Sequence, residues 1–248
     1  MIFEACNLVL ASMRLHRFIS DFNFDKKIAR IDSTDLINQF RKVLRFKPGD
    51  QVILGNGKME EALAEIMEIG KDFIQVKILE LRLNKSESEK EIILYCSILK
   101  RENFELVVQK ATEIGIKKIV PVVAVRTVKL LAKNSRLEKI AKEAAEQSGR
   151  GIVPVIDDVI VFNKAVEKAK ENDLNLFFDF SGVSFGDVRQ NIANARKIGI
   201  FIGPEGGWDE KEIETARNSQ NFKITLLGKL SLRAETAAIV SSYIVVNC

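Results

Sequence analysis

Hydrophobic and polar positions divide the chain into two parts with different periodicity. Before residue 84, the apolar positions form short strand-like runs separated by turn residues such as Pro48-Gly49-Asp50 and Asn56-Gly57. We predict strands over 51–54, 61–66 and 73–80. Short strands joined by tight turns are typical of a small β-barrel.

The second part alternates strand-like and helix-like segments. Continuous apolar runs, which predict strands buried on both faces, lie at 92–99, 118–123, 174–179, 198–202 and 223–227. Helices are predicted over 102–114, ending at Gly115, and over 235–246; another begins with Ser135 and Glu138 as a capping box and ends at Gly149. This alternation predicts an α/β domain with a parallel sheet.

The polar run 84–91 separates the two parts because it contains no apolar side chain. We predict a β-barrel domain over 1–84, a linker over 85–91 and an α/β domain over 92–248. The length of 248 residues and the hydrophobic content of 46% allow two domains.

Two glycine-bearing loops follow the last two predicted strands. The first is Gly203-Pro204-Glu205-Gly206-Gly207 after Ile202, and the second is Leu227-Gly228. The glycines of the first loop can adopt positive φ and leave backbone amides open to a ligand. Asp209 and Glu212 then form a predicted capping box for a helix running to about Asn218. Ligands of α/β sheets bind outside the carboxyl ends of adjacent strands, so the pair of loops favours a ligand site over two plain turns.

Other site chemistries are excluded by spacing. Gly228-Lys229 is followed by Leu230, so no phosphate-binding P-loop is present, and Gly55-Asn56-Gly57 does not continue as a dinucleotide fingerprint. The three cysteines, Cys6, Cys96 and Cys248, are scattered and have no paired histidines, so we expect free thiols and no metal.

The two glycine-bearing loops are followed by a third motif, Leu232-Arg233-Ala234-Glu235-Thr236-Ala237. Together with Gly-Pro-Glu-Gly-Gly and Leu227-Gly228, it resembles the C-terminal signature of the RsmE family, uridine-N3 methyltransferases of 16S ribosomal RNA in the SPOUT superfamily. Further matching blocks follow in the family's order at 14–19, 43–50, 109–115, 119–121 and 143–150. Because the matching region begins near Met13, residues 1–12 are interpreted either as an N-terminal extension or as the result of a mis-set start.

The resemblance implies a PUA-like β-barrel that binds RNA, followed by a SPOUT trefoil-knot methyltransferase domain that acts as a homodimer. It also implies that loops 203–207, 227–228 and 230–236 hold S-adenosylmethionine. The expected cofactor-binding residues are Ile202, Gly203, Pro204, Glu205, Gly206, Gly207, Leu227, Gly228, Leu232, Thr236 and Ala237.

The expected chemistry requires no metal, because the sulfonium methyl is already electrophilic and the protein must mainly position the attack and remove the imide proton. Arg233 is the first catalytic candidate, since its permanent cation could stabilise the developing uridine anion. Glu235 is the second: it could orient Arg233, accept the proton or cap the C-terminal helix.

Basic residues concentrate in two regions although the net charge is only +4. Residues 13–47 contain nine Lys/Arg and four Asp/Glu. Residues 100–150 contain twelve Lys/Arg and six Asp/Glu. Such regions suit an RNA backbone, while solvated helix faces are the alternative. The expected RNA-binding residues are Arg14, Arg17, Arg41, Lys42, Arg45, Gln147 and Arg150. Arg150 could instead complement a helix dipole.

Three functions stay open at this point. The first is methylation of uridine N3 in 16S ribosomal RNA, within the small subunit or its precursor, in the cytoplasm. The others are methylation of another RNA, such as transfer RNA, and a non-catalytic role in RNA binding or ribosome assembly. Ala234 in the C-terminal signature, Asn38 with Gln39, and 179–182 depart from the family pattern. No run approaches the about 20 apolar residues that span a membrane.

Overall fold

The computed structural model describes residues 15–128 and 134–248. These residues form two compact units. The first contains the described residues up to Glu87 together with Glu146–Ile152, and the second contains the remainder. Arg14 and the predicted extension over 1–12 lie outside the described residues.

The first unit is built on a five-stranded sheet with the order β1-β3-β4-β5-β2. Its strands are β1 (Arg17–Ile19), β2 (Ile28–Ile31), β3 (Gln51–Gly55), β4 (Glu60–Ile69) and β5 (Ile74–Leu83). The β1–β3 pair is parallel and the other pairs are antiparallel. A short helix α1 (Thr34–Asn38) continues into a π-helical turn (Gln39–Val43). The three predicted strands correspond to β3, β4 and β5.

The core of the first unit is aromatic. Phe18 and Phe40 are fully buried with ring centroids 4.5 Å apart, and Phe46 lies 5.0 Å from Phe40. These rings pack against apolar side chains of the sheet such as Val52 and Leu54. Phe18, Phe40 and Phe46, which alternate with basic residues in the sequence, therefore belong to the core of the first unit or pack against it.

The polar run after β5 carries buried hydrogen-bonding groups. The Asn84 amide donates to Glu61 Oε1 at 2.5 Å and to the Gly149 carbonyl at 2.9 Å. Glu87 accepts from Arg150 through both carboxylate oxygens, at 3.0 and 2.8 Å, and the two side chains are 4% and 5% exposed. Asn84, at the end of the predicted β-barrel domain, and Glu87, in the predicted linker, therefore fix the edge of the first unit by polar contacts.

The second unit contains a seven-stranded sheet in which all pairs are parallel. The strand order is β12-β10-β11-β6-β7-β8, with β9 also paired to β7. The strands are β6 (Glu91–Ser97), β7 (Lys118–Val123), β8 (Val155–Ile156), β9 (Ile160–Val161), β10 (Leu174–Ser184), β11 (Lys197–Ile202) and β12 (Phe222–Leu226). The described helices are α2 (Arg101–Ile114), α3 (Asn134–Ser148), α4 (Phe162–Ala169), α5 (Phe185–Asn194), α6 (Glu210–Arg217) and α7 (Ala234–Val246). The predicted parallel α/β sheet is confirmed.

Central strands of this sheet are buried on both faces. In β11, Ile198, Ile200 and Ile202 belong to one hydrophobic core, while Phe201 belongs to the opposite one. There Phe201 stacks on Tyr95 with centroids 4.4 Å apart. Burial on both faces explains why these strands have uninterrupted apolar sequences.

Helix ends follow the sequence signals in most cases. Gly115 and Gly149 have φ of 115° and 80°, so both end helices in the left-handed conformation as predicted. Asp209 and Glu212 form the predicted capping box of α6. The prediction for α3 was wrong at its start: the helix already includes Asn134, so Ser135 lies inside it. Among the described helices, none is long and apolar enough to cross a membrane.

Candidate active site

A cavity of the second unit lies at the ends of β11 and β12, beside residues 178–180 of β10, the strand that lies between them in the sheet. Its volume is about 710 Å³. This volume is in the range of pockets that hold small molecules and cofactors. The cavity therefore lies at the carboxyl edge of the sheet, where α/β proteins bind ligands.

Most of the predicted site residues meet in this cavity. Ten of the eleven expected cofactor-binding residues line it, together with Arg233 and Glu235; Thr236 does not. Leu230, Ser231 and Ala234 also line it and lie in the expected loop 230–236. The lining residues that sequence reasoning missed are Lys100, Asn103, Phe178, Asp179, Phe180, Trp208 and Leu226. Residues 178–180 belong to β10, which lies between β11 and β12 in the sheet, a position that chain order does not reveal.

Glycine serves different purposes along the first loop. Gly207 has φ of 70° and so occupies the left-handed region, whereas Gly203 and Gly206 do not have positive φ. A Cβ on Gly203 would lie 3.1 Å from the Trp208 indole, and one on Gly206 would lie 3.5 Å from Arg126 Cβ. The expectation of positive φ is therefore right for Gly207 alone, while Gly203 is required by the close packing of Trp208.

Glu205 connects the glycine loop to another element. Its Oε1 accepts a hydrogen bond of 3.1 Å from the backbone N–H of Lys100, the residue that precedes α2. A carboxylate at the positive end of a helix is electrostatically favourable. Glu205 thus positions the loop against α2 in addition to lining the cavity.

A second anchor of the glycine loop is the buried carboxylate of Glu212. Its Oε2 accepts from the Asp209 N–H at 2.9 Å, and its Oε1 accepts from the Val125 N–H at 3.0 Å. Arg126 then donates to the Gly206 carbonyl at 3.2 Å, and its Nη2 lies 3.5 Å from Asp209 Oδ2. The segment that follows β7 therefore holds the last part of the loop and the start of α6.

The two catalytic candidates differ strongly in exposure. Arg233 immediately precedes α7, and 86% of its side chain is exposed. Glu235, in the first turn, has 11% of its side chain exposed, and its Oε1 lies 4.0 Å from Arg233 Nη1. Its Oε2 is buried and has no hydrogen-bond partner among the described residues. A buried carboxylate oxygen without a donor is costly, which makes Glu235 an unusual group in the cavity wall.

The RNA-binding candidates divide into exposed and buried residues. Arg41, Lys42, Arg45 and Gln147 are exposed. Arg41 also donates to the Lys71 carbonyl at 3.2 Å, which leaves most of its guanidinium open to solvent. These side chains remain candidates for contact with phosphate.

The prediction that Arg17 and Arg150 contact RNA requires correction, because both side chains form ion pairs with buried carboxylates. Arg150 is 4% exposed and makes the two-pronged ion pair with Glu87. Arg17 pairs with Glu61, which is 2% exposed and which also lies 3.3 Å from Arg82. Burial, and then the like charge of Arg82, lower the pKa of Arg17. Both arginines hold the first unit together through buried pairs, so the geometry does not support them as RNA contacts.

Other chemistries find no support in the described residues. No group of three or more His, Cys, Asp or Glu among them could hold a metal ion. Cys96 is fully buried, and burial raises the pKa of its thiol, so it lacks the thiolate character of a nucleophile. Cys248 is a free, exposed cysteine at the last position.

Comparison with known proteins agrees with this geometry. Residues 86–246 match the RNA methyltransferase domain family, and residues 40–79 match the RNA methyltransferase PUA domain family. The chain is 34% identical to ribosomal RNA small subunit methyltransferase E of Rickettsia conorii over 209 residues, covering 83% of this chain and 84% of that protein. The chain is also 30% identical to the Bacillus subtilis protein of the same name over 216 residues, which cover 82% of this chain and 84% of that protein.

Solved structures give the same result. The Neisseria gonorrhoeae ribosomal RNA small subunit methyltransferase E bound to S-adenosyl methionine superposes with a TM-score of 0.83 at 29% identity, covering 93% of this chain and 96% of that one. A putative Legionella pneumophila methyltransferase in complex with the bound cofactor SAM superposes with a TM-score of 0.84 at 27% identity, covering 94% of this chain and 97% of that one.

The parallel sheet, the cavity at its carboxyl edge and the PUA domain match define the class of this protein as an RNA methyltransferase. Its relatives by sequence and by structure narrow the class further. The chain belongs to the ribosomal RNA small subunit methyltransferase E family.

Proposed function

We propose that this protein transfers a methyl group from S-adenosylmethionine to N3 of a uridine in 16S ribosomal RNA. The observation that carries the proposal is the cavity at the ends of β11 and β12 and beside residues 178–180 of β10, with Arg233 and Glu235 in its wall. Family membership supports the substrate class, since the relatives are named ribosomal RNA small subunit methyltransferases. When bound, S-adenosylmethionine supplies an electrophilic methyl group.

The cavity wall fits such a cofactor. Gly207 and Gly228 both lie in open space, because a Cβ at either position would have no neighbour within 4 Å. Their bare backbone therefore leaves room for a ligand to approach closely. Glu235, whose Oε2 has no hydrogen-bond partner among the described residues, belongs to the same wall. We assign Ile202, the loop 203–207, Leu227, Gly228, Leu232 and Ala237 to cofactor binding, and Thr236 to support from outside the cavity wall.

Arg233 stabilises negative charge on the uracil ring. Removal of the N3 proton leaves an anion shared with O2 and O4, and a guanidinium presents paired donors to such oxygens. Its 86% exposed side chain is free to reach a base that enters from solvent. Glu235 is buried beside it and acts as an acceptor, for the imide proton or for a donor on the ligand. Within the described residues, Oε2 of Glu235 has no hydrogen-bond partner, which gives no support to a capping role.

The remaining parts of the assignment follow from the family. We propose that residues 1–84 bind RNA, that 92–248 form the catalytic domain with a trefoil knot, and that two chains form a homodimer in the cytoplasm. The exposed cations Arg41, Lys42 and Arg45 support the first point. Analytical ultracentrifugation tests the last: a monomer at micromolar concentration in the presence of cofactor would contradict the dimer.

Nucleoside mass spectrometry tests the proposed reaction. Small subunits from cells that lack this gene are incubated with the protein and S-adenosylmethionine in excess chelator. We expect N3-methyluridine to appear at one site of the 16S RNA. Methylation of transfer RNA alone, or RNA binding without methyl transfer, would reject the proposal in favour of one of the two alternatives. Calorimetric titration of the cofactor with chelator present tests binding separately.

A further inference from the structure

A projecting turn in β10 places an aromatic ring at the cavity. β10 pairs with β12 up to Phe178, opposite Thr225, and pairing resumes at Val183, opposite the same residue. The four residues between them leave the ladder. Phe180 lies in this bulge, lines the cavity and is 60% exposed. Bulges beside active sites commonly redirect a side chain in this way.

The bulge is held by specific contacts. Asp179 Oδ1 accepts from the Ser181 N–H at 2.8 Å and from its hydroxyl at 2.7 Å. Gly182 packs so closely on β12 that a Cβ there would lie 2.4 Å from the Thr225 nitrogen. Next to the bulge, the Trp208 indole N–H donates to the Phe178 carbonyl at 3.2 Å. Both ends of the turn are therefore fixed, and the exposed ring between them is a maintained feature.

We propose that Phe180 is the stacking platform for the target base of the RNA. An exposed phenylalanine costs hydration free energy, and aromatic side chains bind unpaired bases through their faces. A base must leave its stack to reach a methyl donor inside a protein cavity, and an aromatic ring at the entrance offers a replacement stacking partner. The planar ligand is thus a nucleobase entering from solvent.

The cofactor adenine is the other planar group that could stack there. The observations favour the RNA base because Phe180 is 60% exposed and open to a base from solvent, whereas Gly207 and Gly228 offer bare backbone, without side-chain neighbours, to a bound cofactor. Arg233, also exposed and in the same cavity wall, would bind the edge of a base whose face lies on Phe180. The inference rests on the proposed function and specifies which residue recognises the substrate.

Steady-state kinetics with Phe180→Ala tests the platform. We expect KM for RNA to rise by about 5- to 150-fold, the range seen when one base loses its aromatic partner. KM for S-adenosylmethionine should stay within twofold of the parent, and Phe180→Tyr should restore most of the affinity for RNA. Val183→Ala is the matched control, since Val183 lies at the end of the same bulge, is 51% exposed and does not line the cavity.

A fluorescence experiment separates this inference from the methylation reaction itself. Phe180→Trp places an indole at the cavity entrance, and the signal of the single native tryptophan, Trp208, is subtracted with the parent protein. Oligouridylate should quench the new indole, while S-adenosylmethionine alone should not; Val183→Trp should respond to neither. Quenching by the cofactor alone, equal quenching in both variants, or an unchanged KM for RNA in Phe180→Ala would overturn the proposal. Absence of methyl transfer by the parent would reject the proposed reaction and leave the quenching result interpretable.

Discussion

At the scale of single residues, the pair formed by Arg233 and Glu235 determines how the cavity can act. The guanidinium is exposed, whereas the carboxylate is buried with one oxygen that has no partner among the described residues. An exposed cation contributes little to folding stability, since surface ion pairs are worth about 0–1 kcal/mol. Substitution of Arg233 should therefore change chemistry without damaging the fold.

We expect Arg233→Ala to lower kcat by about 10²–10³-fold, by analogy with the removal of one donor to a developing oxyanion. Cofactor affinity should stay close to that of the parent, because an anion stabilised only during proton loss does not affect ground-state binding. Lysine should restore activity in part, since a point charge cannot replace the planar fork. Single-turnover rates at saturating RNA and cofactor measure the effect.

The matched control for this substitution is Arg189→Ala. Arg189 is an exposed arginine of α5 that does not line the cavity. It should leave the single-turnover rate unchanged. A rate for Arg233→Ala within twofold of the parent would remove Arg233 from the mechanism and leave Glu235 as the next candidate.

The glycine loop gives a second prediction at this scale. Gly207→Ala should lower the free energy of unfolding by about 1 kcal/mol, because an L-residue pays roughly 1–2 kcal/mol in the left-handed region. Gly206→Ala should change it by less than about 0.5 kcal/mol, since its φ is not positive and its Cβ would make an ordinary contact. Urea unfolding of both variants measures the difference, and equal stabilities would contradict the assignment of the strained position.

At the scale of elements, the loop depends on contacts from distant parts of the sequence. Glu212 joins the start of α6 to the segment after β7, and Glu205 joins the loop to the start of α2. The capping box predicted from Asp209 and Glu212 is present, yet it accounts for only one of the two bonds that Glu212 accepts. A local motif therefore also has a long-range structural role.

Glu212→Ala tests this role. Two backbone donors, the N–H groups of Val125 and Asp209, would lose their acceptor, which costs about 1–3 kcal/mol in unfolding free energy. Because the glycine loop lies next to these bonds, we expect weaker cofactor binding in calorimetric titration as well. Glu214→Ala, an exposed position on the same helix, is the control and should match the parent. Unchanged cofactor affinity in Glu212→Ala would show that the loop holds its shape without this anchor.

The sequence predicted elements well where burial creates the pattern. Strands such as β7 and β11 were found because both faces are apolar, and helix ends were found because Gly115 and Gly149 require positive φ. Short strands such as β1 and β2, and the extension of β10 beyond its bulge, were missed because pairing with partners distant in sequence defines them. Phe180 was missed as a site residue for the same reason.

At the scale of the whole molecule, charge in the sequence did not indicate exposure. Arg17 and Arg150 were expected on the RNA surface, yet buried carboxylates of Glu61 and Glu87 hold them inside the first unit. These partners lie 44 and 63 positions away in the chain, so composition could not reveal the pairs. The cations that remain exposed in the π-helical turn and after it, Arg41, Lys42 and Arg45, define a smaller surface.

Replacing Arg41, Lys42 and Arg45 together with alanine should weaken RNA binding and reduce its salt dependence. Each lost phosphate contact lowers the slope of log Kd against log salt concentration by about 0.7–0.9, because fewer counterions are released. Cofactor affinity should not change, since these residues lie in the first unit and the cavity lies in the second. The control removes the same charge from Lys26, Lys27 and Lys77, which are also exposed in the first unit. An equal loss of slope in both triple variants would mean that net charge alone attracts the RNA, whereas a loss confined to the first variant identifies 41–45 as its contact surface.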